Sequence, residues 1–203
     1  MKTHYFTLLG LCALLATAQA QPQPAAPETV GNLQAAYRGE AQASSFYTAC
    51  AKQAMREGYP DAAKLFRAAA FSEAIHRDNH RRALRTLGVM QDKLPYTQTK
   101  VKSTRDNLAE SVADEQQESR VMYPDYIRTA RRQGVPAAER AFRFARESER
   151  AHARLLQRSL NRLGGKPATD YFVCQTCGMT TVDAVPAVCS VCRGSGMNYK
   201  KVE

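Results

Sequence analysis

The sequence contains no tryptophan, few other aromatic residues and, beyond its first twenty positions, no long apolar run. Only 8% of the residues are aromatic, whereas Ala, Leu, Arg, Glu and Gln are abundant, and this composition favours helix. Acidic residues are also scarce relative to basic ones, which leaves a formal net charge of +10. Because no aromatic residues are interleaved with a basic patch, we interpret the excess as a solvated surface and expect no nucleic acid partner. The lack of a second apolar run predicts no membrane span.

Residues 1–20 are the exception to this scarcity of apolar runs. They begin with the single charge of Lys2, continue with an apolar run from Tyr5 to Ala16 and end in AQA, a small-x-small cleavage pattern. The run is shorter than the roughly 20 residues that a bilayer requires. We therefore predict a cleaved signal peptide over 1–20 and an exported protein, which in a bacterium would reside in the periplasm.

The rest of the chain divides into three parts. A proline-rich lead, 21–28, is predicted to be flexible; a helical region follows over 29–165, and residues 166–203 are rich in Cys, Thr, Val and Gly. Apolar residues recur at three- and four-residue steps in four stretches, predicting helices over 29–58, 60–87, 104–134 and 136–163. Because the first and last connections are short, the helices should pair as two antiparallel hairpins in an all-α four-helix bundle.

Each predicted helix carries an acid in the middle of its apolar stripe. These acids are Glu40, Glu73, Glu115 and Glu149, with Glu118 one turn after Glu115. Burying an ionised carboxylate without a partner costs several kcal/mol, and several buried together repel one another. Two divalent cations would nearly balance five carboxylates. The sequence therefore predicts a two-metal site inside the bundle.

Two histidines complete the predicted site, because each follows one of these glutamates by three positions. The pairs are Glu73 with His76 and Glu149 with His152. Residues at this spacing lie on one side of a helix, within reach of a single ion. Glu40 and Glu115, on the other two helices, are placed to bridge the ions as in carboxylate-bridged di-iron bundles. The acids are nearly equally spaced in the two hairpins, which indicates an old duplication.

Four cysteines near the C-terminus form two C-x2-C pairs. They are Cys174, Cys177, Cys189 and Cys192, with eleven residues between the pairs. Four thiolates at this spacing suit a tetrahedral iron or zinc ion. Disulfides are the alternative in an exported chain, but the segment has almost no apolar core and tandem pairs of this kind are typical of ion binding. Iron at this site would cycle one electron, whereas zinc would only hold structure.

Four helical stretches and the C-terminal tail resemble rubrerythrins. The stretches are NLQAAYRGE, SEAIHRDNH, DEQQESRVMYPDY and ESERAHARLL, and the tail is YFVCQTCGMTTVDAVPAVCSVC. The resemblance covers nearly all of the chain after residue 20 and implies a ferritin-like di-iron bundle followed by a rubredoxin-like domain. The implied di-iron ligands are Glu40, Glu73, His76, Glu115, Glu118, Glu149 and His152, and the implied ligands of a third iron, or of zinc, are the four cysteines.

The resemblance also implies a function. Rubrerythrins are peroxidases in which a reduced di-iron site reduces hydrogen peroxide to water and the cysteine-bound iron relays electrons from a donor protein, unidentified here. Members usually form dimers, with the cysteine domain of one subunit near the di-iron site of the other. This chain departs from the pattern in a cysteine loop one residue shorter, in Ser190 where Pro is common, and in its export signal. A ferritin-like iron-sequestering protein and a structural protein with a zinc site stay open as alternatives.

We also predict roles for five other residues of the helices. Tyr47 and Tyr123 are placed to donate hydrogen bonds to a bound peroxide or oxo group, with ordinary packing as the alternative. Glu118 would let one iron exchange His76 for a carboxylate, or else is a partly exposed surface acid. We interpret His80, which has no glutamate three positions before it, as a satisfied core or rim histidine, and Cys50 as a buried filler.

Overall fold

The computed structural model describes residues 26–91, 94, 99–165 and 170–203. The helices are α1 (Pro27–Arg56), α2 (Pro60–Thr86), α3 (Thr104–Gln117), α4 (Tyr123–Arg132) and α5 (Pro136–Asn161). A π-helical turn, Glu118–Met122, joins α3 to α4 end to end, so these pieces form one long helix. The predicted four-helix bundle is confirmed. The predicted signal peptide lies outside the described residues. No helix within the described ranges is both long and apolar enough to cross a membrane.

Proline and glycine set the ends of the helices. Pro27, Pro60 and Pro136 occupy the first turns of α1, α2 and α5, where a backbone N–H has no helical partner to lose. Gly58 and Gly134, both at positive φ, end α1 and α4 and allow connections of only a few residues. Because α1 begins at Pro27, the last two residues of the predicted lead belong to the helix.

The third long helix differs from the prediction of a continuous α-helix. In the π-helical turn the Tyr123 N–H donates to the Glu118 carbonyl, five residues earlier. The Ser119 hydroxyl donates to the Glu115 carbonyl at 2.7 Å. This turn shifts the register of α4 relative to α3, and both Glu115 and Tyr123 are buried. Single π-helical turns of this kind are frequent at functional sites.

Two apolar clusters fill the two ends of the bundle and leave a polar layer between them. One cluster contains Leu65 and Phe66 of α2 with Leu108 of α3. The other contains Leu33 of α1 and Phe142 of α5, together with residues of α4. The buried glutamates and histidines lie at mid-helix between these clusters. The layer is therefore shielded from water by packed side chains on both sides along the bundle axis.

The C-terminal segment forms a small three-stranded antiparallel sheet of order β2-β1-β3. Its strands are β1 (Tyr171–Cys174), β2 (Thr180–Val182) and β3 (Tyr199–Val202). In the register, Phe172 faces Thr181 on one side and Lys201 on the other. Tyr171 and Val173 are buried in the same apolar cluster as α2. The sheet therefore packs against the bundle, which places the cysteines beside the polar layer.

Candidate metal centres

Two overlapping groups of buried side chains meet in the polar layer. One group is Glu40, Glu73, His76 and Glu149; the other is Glu73, Glu115, Glu149 and His152. Within each group the possible ligand atoms all lie within 4.8 Å of one another. Glu73 and Glu149 belong to both groups, so they are the residues placed to bridge two ions. The sequence prediction had instead assigned bridging to Glu40 and Glu115, which each belong to a single group.

The two histidines point the same ring nitrogen at the carboxylates. His76 Nδ1 lies 2.8 Å from Glu73 Oε2 and 2.9 Å from Glu149 Oε1, and His152 Nδ1 lies 2.9 Å from Glu149 Oε2. Their Nε2 atoms point away, to the Cys177 carbonyl at 3.1 Å and the Thr180 hydroxyl at 3.0 Å. A proton on Nε2 that is donated to these oxygens leaves the Nδ1 lone pair for a metal ion.

Several buried atoms in the layer make no well-aligned hydrogen bond to a described residue, although some of them lie at ion-pair distance from a histidine or a carboxylate. They are Glu73 Oε1, Glu115 Oε2, both carboxylate oxygens of Glu149, and His152 Nδ1. Buried polar atoms are normally satisfied, and an unpaired carboxylate oxygen is especially costly. All five atoms belong to residue types that bind iron. The donor set therefore fits two divalent ions, which would coordinate atoms that the protein leaves without well-aligned hydrogen bonds.

The pKa values of the buried glutamates and histidines also indicate that the layer carries too much negative charge for the protein alone. Burial, and next the charge of neighbouring carboxylates, raises the pKa of Glu40 and of Glu115 well above the ordinary value. Burial alone would lower the pKa of His76 and His152, but the surrounding glutamates outweigh it and raise both pKa values. Burial likewise opposes ionisation of Glu149, yet the two histidines outweigh it and lower its pKa. Without metal ions, protons held by the glutamates and histidines thus balance the buried negative charge that cations would otherwise balance.

The two predicted tyrosines contact the carboxylates themselves. The Tyr47 hydroxyl donates to Glu115 Oε1 at 2.5 Å, and the Tyr123 hydroxyl donates to Glu40 Oε1. Burial and the adjacent glutamates raise the pKa of both phenols well above the ordinary value, so both stay protonated donors. Each tyrosine therefore orients a glutamate that belongs to only one of the two groups.

Glu118 and His80 lie at the margin of the layer. Glu118 belongs to neither close group and is partly exposed, at the first position of the π-helical turn. Burial, followed by the charges of Glu149 and Glu73, raises its pKa to about 8. His80 is fully buried, as predicted, but it is not fully satisfied as the prediction had it: its Nε2 contacts the Tyr123 hydroxyl at 3.3 Å, whereas its Nδ1 has no hydrogen-bond partner among the described residues. Cys50 is also fully buried, as predicted.

A groove connects the polar layer with the surface between α1 and α3; we call it the carboxylate groove. Its lining includes Tyr47, Glu73, Glu115 and Glu118 from the layer, and Lys102 nearer the surface. The other residues along it are mainly small or polar. A molecule the size of water or peroxide entering this groove would meet the glutamates from the side of Glu118.

The four cysteines form a second compact donor set. Their ligand atoms lie within 4.8 Å of one another, with Sγ separations of 3.7 Å for Cys174–Cys192 and 3.6 Å for Cys177–Cys189. None of the described cysteines forms a disulfide. A tetrahedral ion with metal–sulfur bonds of about 2.3 Å would separate its sulfurs by about 3.8 Å, far more than the roughly 2.05 Å of a disulfide. The geometry favours the metal alternative over disulfides.

The cysteine segment contacts the glutamate–histidine layer through residues 176–180. Besides the two histidine contacts, Ser72 of α2 donates to the Gly178 carbonyl at 2.7 Å, and Ser148 of α5 donates to the Cys177 carbonyl at 3.3 Å. Gly178 adopts φ +83°, and a Cβ there would overlap the His76 ring. A hydrogen bond from His76 Nε2 to the backbone carbonyl of Cys177 therefore joins a residue of one donor set directly to a residue of the other.

Ser72, Ser148 and Thr180 were not predicted as site residues. Each is a buried hydroxyl that holds the cysteine segment or a histidine in place. Ser72 precedes Glu73 and Ser148 precedes Glu149 directly, and this repeated Ser-Glu pair was a signal available in the sequence. Nothing in the spacing of the sequence marks Thr180, because its role depends on how the sheet packs.

Comparisons with known proteins agree with this architecture. The family model described as Rubrerythrin matches residues 31–160. The chain is 34% identical to Rubrerythrin-2 of Clostridium acetobutylicum, over 81% of this chain and 91% of that protein. It is 31% identical to nigerythrin of Nitratidesulfovibrio vulgaris, over 78% and 79% of the two chains. A structure of fully reduced, all-ferrous nigerythrin superposes with a TM-score of 0.81 and 26% identity, covering 93% of this chain and 91% of that chain.

Proposed function

This chain belongs to the rubrerythrin family, and from that premise we propose that it is a non-haem di-iron peroxidase that reduces hydrogen peroxide to water. The observation that carries the proposal is the pair of overlapping glutamate–histidine groups, which leave buried ligand atoms without well-aligned hydrogen bonds in the centre of the bundle. The family supplies the metal: a di-iron site, with a rubredoxin-type iron at the four cysteines.

We assign the ligands from the two groups. One iron would be held by Glu40 and His76 and the other by Glu115 and His152, with Glu73 and Glu149 shared. Glu118, which lines the carboxylate groove, is the additional carboxylate, and it would replace His76 when the charge of the ion changes. A reduced iron pair supplies the two electrons that cleave the O–O bond, and with two protons the products are two water molecules.

The protein's own residues admit the oxidant and orient the glutamate ligands. The carboxylate groove admits a small oxidant and ends at Glu118 and Glu115, while the apolar clusters exclude water elsewhere. Tyr47 and Tyr123 hold Glu115 and Glu40 in fixed rotamers through their hydroxyls. Their direct hydrogen bonding to peroxide stays a prediction, since both hydroxyls donate to carboxylates in this structure.

The electron relay is the second part of the proposal. The His76 Nε2 contact with the Cys177 carbonyl, at 3.1 Å, supports transfer from the cysteine site to the di-iron site within one chain. His76 would thereby be a ligand of one centre and a hydrogen-bond partner of the other. The homodimer expected from the family remains a proposal, and sedimentation equilibrium would test it.

The test is steady-state consumption of hydrogen peroxide by iron-loaded protein with a phenylenediamine as artificial electron donor. We expect two equivalents of donor to be oxidised for each molecule of peroxide consumed. We also expect the protein to consume peroxide faster than it consumes dioxygen. Protein that reduces dioxygen but ignores peroxide would contradict the proposal. Many irons per chain in a large assembly would instead support the iron-sequestering alternative.

Export is a separate proposal that rests on the pattern of residues 1–20. N-terminal sequencing of protein purified from the native cell tests it. We expect the mature chain to begin at Gln21 and to fractionate with the periplasm. A mature chain that retains residues 1–20 in the cytoplasm would contradict it.

A further inference from the structure

A second groove lies between α5 and the cysteine segment; we call it the arginine groove. Its floor contains Phe144 and Met179 together with Val191 and Cys192. These residues pack directly against the other three cysteines. Cys174, Cys177 and Cys189 are fully buried, whereas Cys192 is partly exposed. Cys192 is therefore the part of the four-cysteine site that a partner in this groove would approach.

The rim of the arginine groove is strongly basic. Its arginines are Arg131, Arg140, Arg143, Arg146, Arg150 and Arg154, and the only acid among its lining residues is Glu147. Glu147 lies 3.7 Å from Arg146 and 3.5 Å from Arg150, and Arg131 pairs with Glu139. Arg140, Arg143 and Arg154 are exposed and have no acid within 4.0 Å in the described part of the chain. Much of this charge is thus available to a partner.

The basic rim and apolar floor of the arginine groove together have the residue composition of a protein-binding surface. Interfaces between proteins commonly combine an apolar centre with a polar rim and are enriched in arginine, aromatic residues and methionine. A flat bilayer would touch the rim but not a recessed floor. Phe144 is the one aromatic residue in this lining, whereas single-stranded nucleic acid sites typically present several aromatic side chains on which successive bases stack. The charge of the rim complements an acidic partner.

We propose that an acidic electron-transfer protein docks in the arginine groove and delivers electrons to the four-cysteine site at Cys192. This inference rests on the proposed function, because it names the class of donor that the relay requires. One electron leaves the donor, which is oxidised, and reduces the ferric cysteine site to ferrous; no covalent bond forms or breaks. Cys177 of the same site contacts His76, so the docking groove and the di-iron site flank one electron carrier.

The experiment uses a reduced flavodoxin, chosen for its acidic surface, and follows bleaching of the ferric-thiolate absorption of iron-loaded protein by stopped flow. The groove variant is Arg143→Glu with Arg154→Glu. Its matched control is Arg38→Glu with Arg105→Glu, which changes the same charge at exposed arginines on α1 and α3, outside the groove.

We expect the second-order rate of the wild type to fall with rising salt. At low ionic strength the groove variant should react about tenfold more slowly, and the control within about twofold of the wild type. Equal rates for the groove variant and the control, or no bleaching at all, would overturn the proposal.

Binding is measured apart from electron transfer, with oxidised flavodoxin and protein that carries zinc in the cysteine site. Calorimetry should give an affinity about tenfold weaker for the groove variant than for the control. Tighter binding of phosphatidylglycerol vesicles or of DNA through the same arginines would overturn the proposal. So would a wild-type dimer that the groove variant alone converts to monomer.

Peroxide turnover with the phenylenediamine donor separates the two proposals. If the groove variant is reduced as fast as the control while turnover with phenylenediamine is intact, the docking proposal alone fails. Absence of turnover in the wild type, with groove-dependent bleaching intact, defeats the peroxidase proposal and leaves the docking surface standing.

Discussion

At the scale of single residues, Glu149 is the centre of the candidate di-iron site. Its two carboxylate oxygens lie 2.9 Å from the Nδ1 atoms of His76 and His152, which is ion-pair distance, but neither oxygen accepts a well-aligned hydrogen bond from a described residue. It belongs to both donor groups, as does Glu73. A residue so placed connects the two ions, so its removal should affect both.

We therefore predict that Glu149→Ala lowers the iron content from about three to about one per chain, because only the cysteine site keeps its full ligand set. Elemental analysis with visible absorption of the ferric-thiolate site measures this. Glu147→Ala is the matched control, since Glu147 lies two positions earlier on α5 and pairs only with surface arginines. Retention of the full iron content by Glu149→Ala would contradict the ligand assignment.

Protons in the polar layer predict an unusual pH dependence for the metal-free protein. The pKa values of Glu40, Glu115, His76 and His152 are raised in the folded state, and that of Glu118 is raised to about 8. Between pH 5 and pH 8 the folded chain therefore binds more protons than the unfolded chain, and its stability falls as pH rises. The lowered pKa of Glu149 acts in the opposite direction only near and below its ordinary value of 4.5. Burial lowers the pKa of His80 to about 3, and the hydrogen bond with Cys177 lowers the pKa of Cys174 to about 5, so these two groups oppose the trend within this range, but the five raised groups outnumber them.

Urea denaturation of chelator-treated protein at pH 5, 6.5 and 8 measures this effect. The free energy of unfolding should be at least about 1 kcal/mol smaller at pH 8 than at pH 5. Iron-loaded protein should show the opposite trend, because iron binds the deprotonated ligands. Stability of the metal-free protein that rises over this range would show that the layer does not hold the extra protons.

At the scale of elements, the segment 176–180 is the connection between the two donor sets. It receives hydrogen bonds from α2 and α5, and Gly178 lies so close to His76 that no side chain fits there. The sequence predicted each donor set separately from spacing along helices and between cysteines. It did not predict their contact, because that contact depends on tertiary packing of the sheet.

We predict that Gly178→Ala separates the cysteine segment from the bundle and slows electron transfer between the two centres by about tenfold or more. A Cβ at this position would overlap His76 Nε2 and approach Ser72 Oγ to 2.7 Å. Stopped-flow reoxidation of the reduced cysteine site by peroxide measures the rate.

Gly58→Ala is the control for Gly178→Ala. Gly58 has a similar positive φ, of 79°, but a Cβ there meets nothing within 4 Å, so it shares the backbone cost of roughly 1 kcal/mol without the clash. Equal reoxidation rates for the two variants would show that the His76–Cys177 contact does not carry the electron.

At the scale of the whole molecule, the bundle and both donor sets followed from local patterns. Acids inside apolar stripes, Glu and His three positions apart, and paired C-x2-C turns are all short-range signals. The features that were not predicted arise from long-range packing: the π-helical turn at Glu118–Met122, the sharing of Glu73 and Glu149, and the arginine groove. A helical period specifies which face is buried, but not which buried acid lies between two ions.

The chain as a whole places three features in series: the arginine groove, the four-cysteine site and the glutamate–histidine layer. The carboxylate groove opens the last of them to a small oxidant. Electrons and peroxide would thus reach the di-iron site by different routes, which keeps the donor protein away from the oxidant.

Mössbauer spectroscopy tests the central claim most directly. Protein loaded with iron-57 is fully reduced without oxygen, mixed with two equivalents of hydrogen peroxide, which suffice to oxidise all three ferrous ions of the chain, and frozen within milliseconds to seconds. The account predicts two carboxylate-bound ferrous ions per chain at the start, both converted to a coupled ferric pair as the peroxide disappears. Ferrous signals that persist beside unreacted peroxide, or iron found only at the four cysteines, would contradict it.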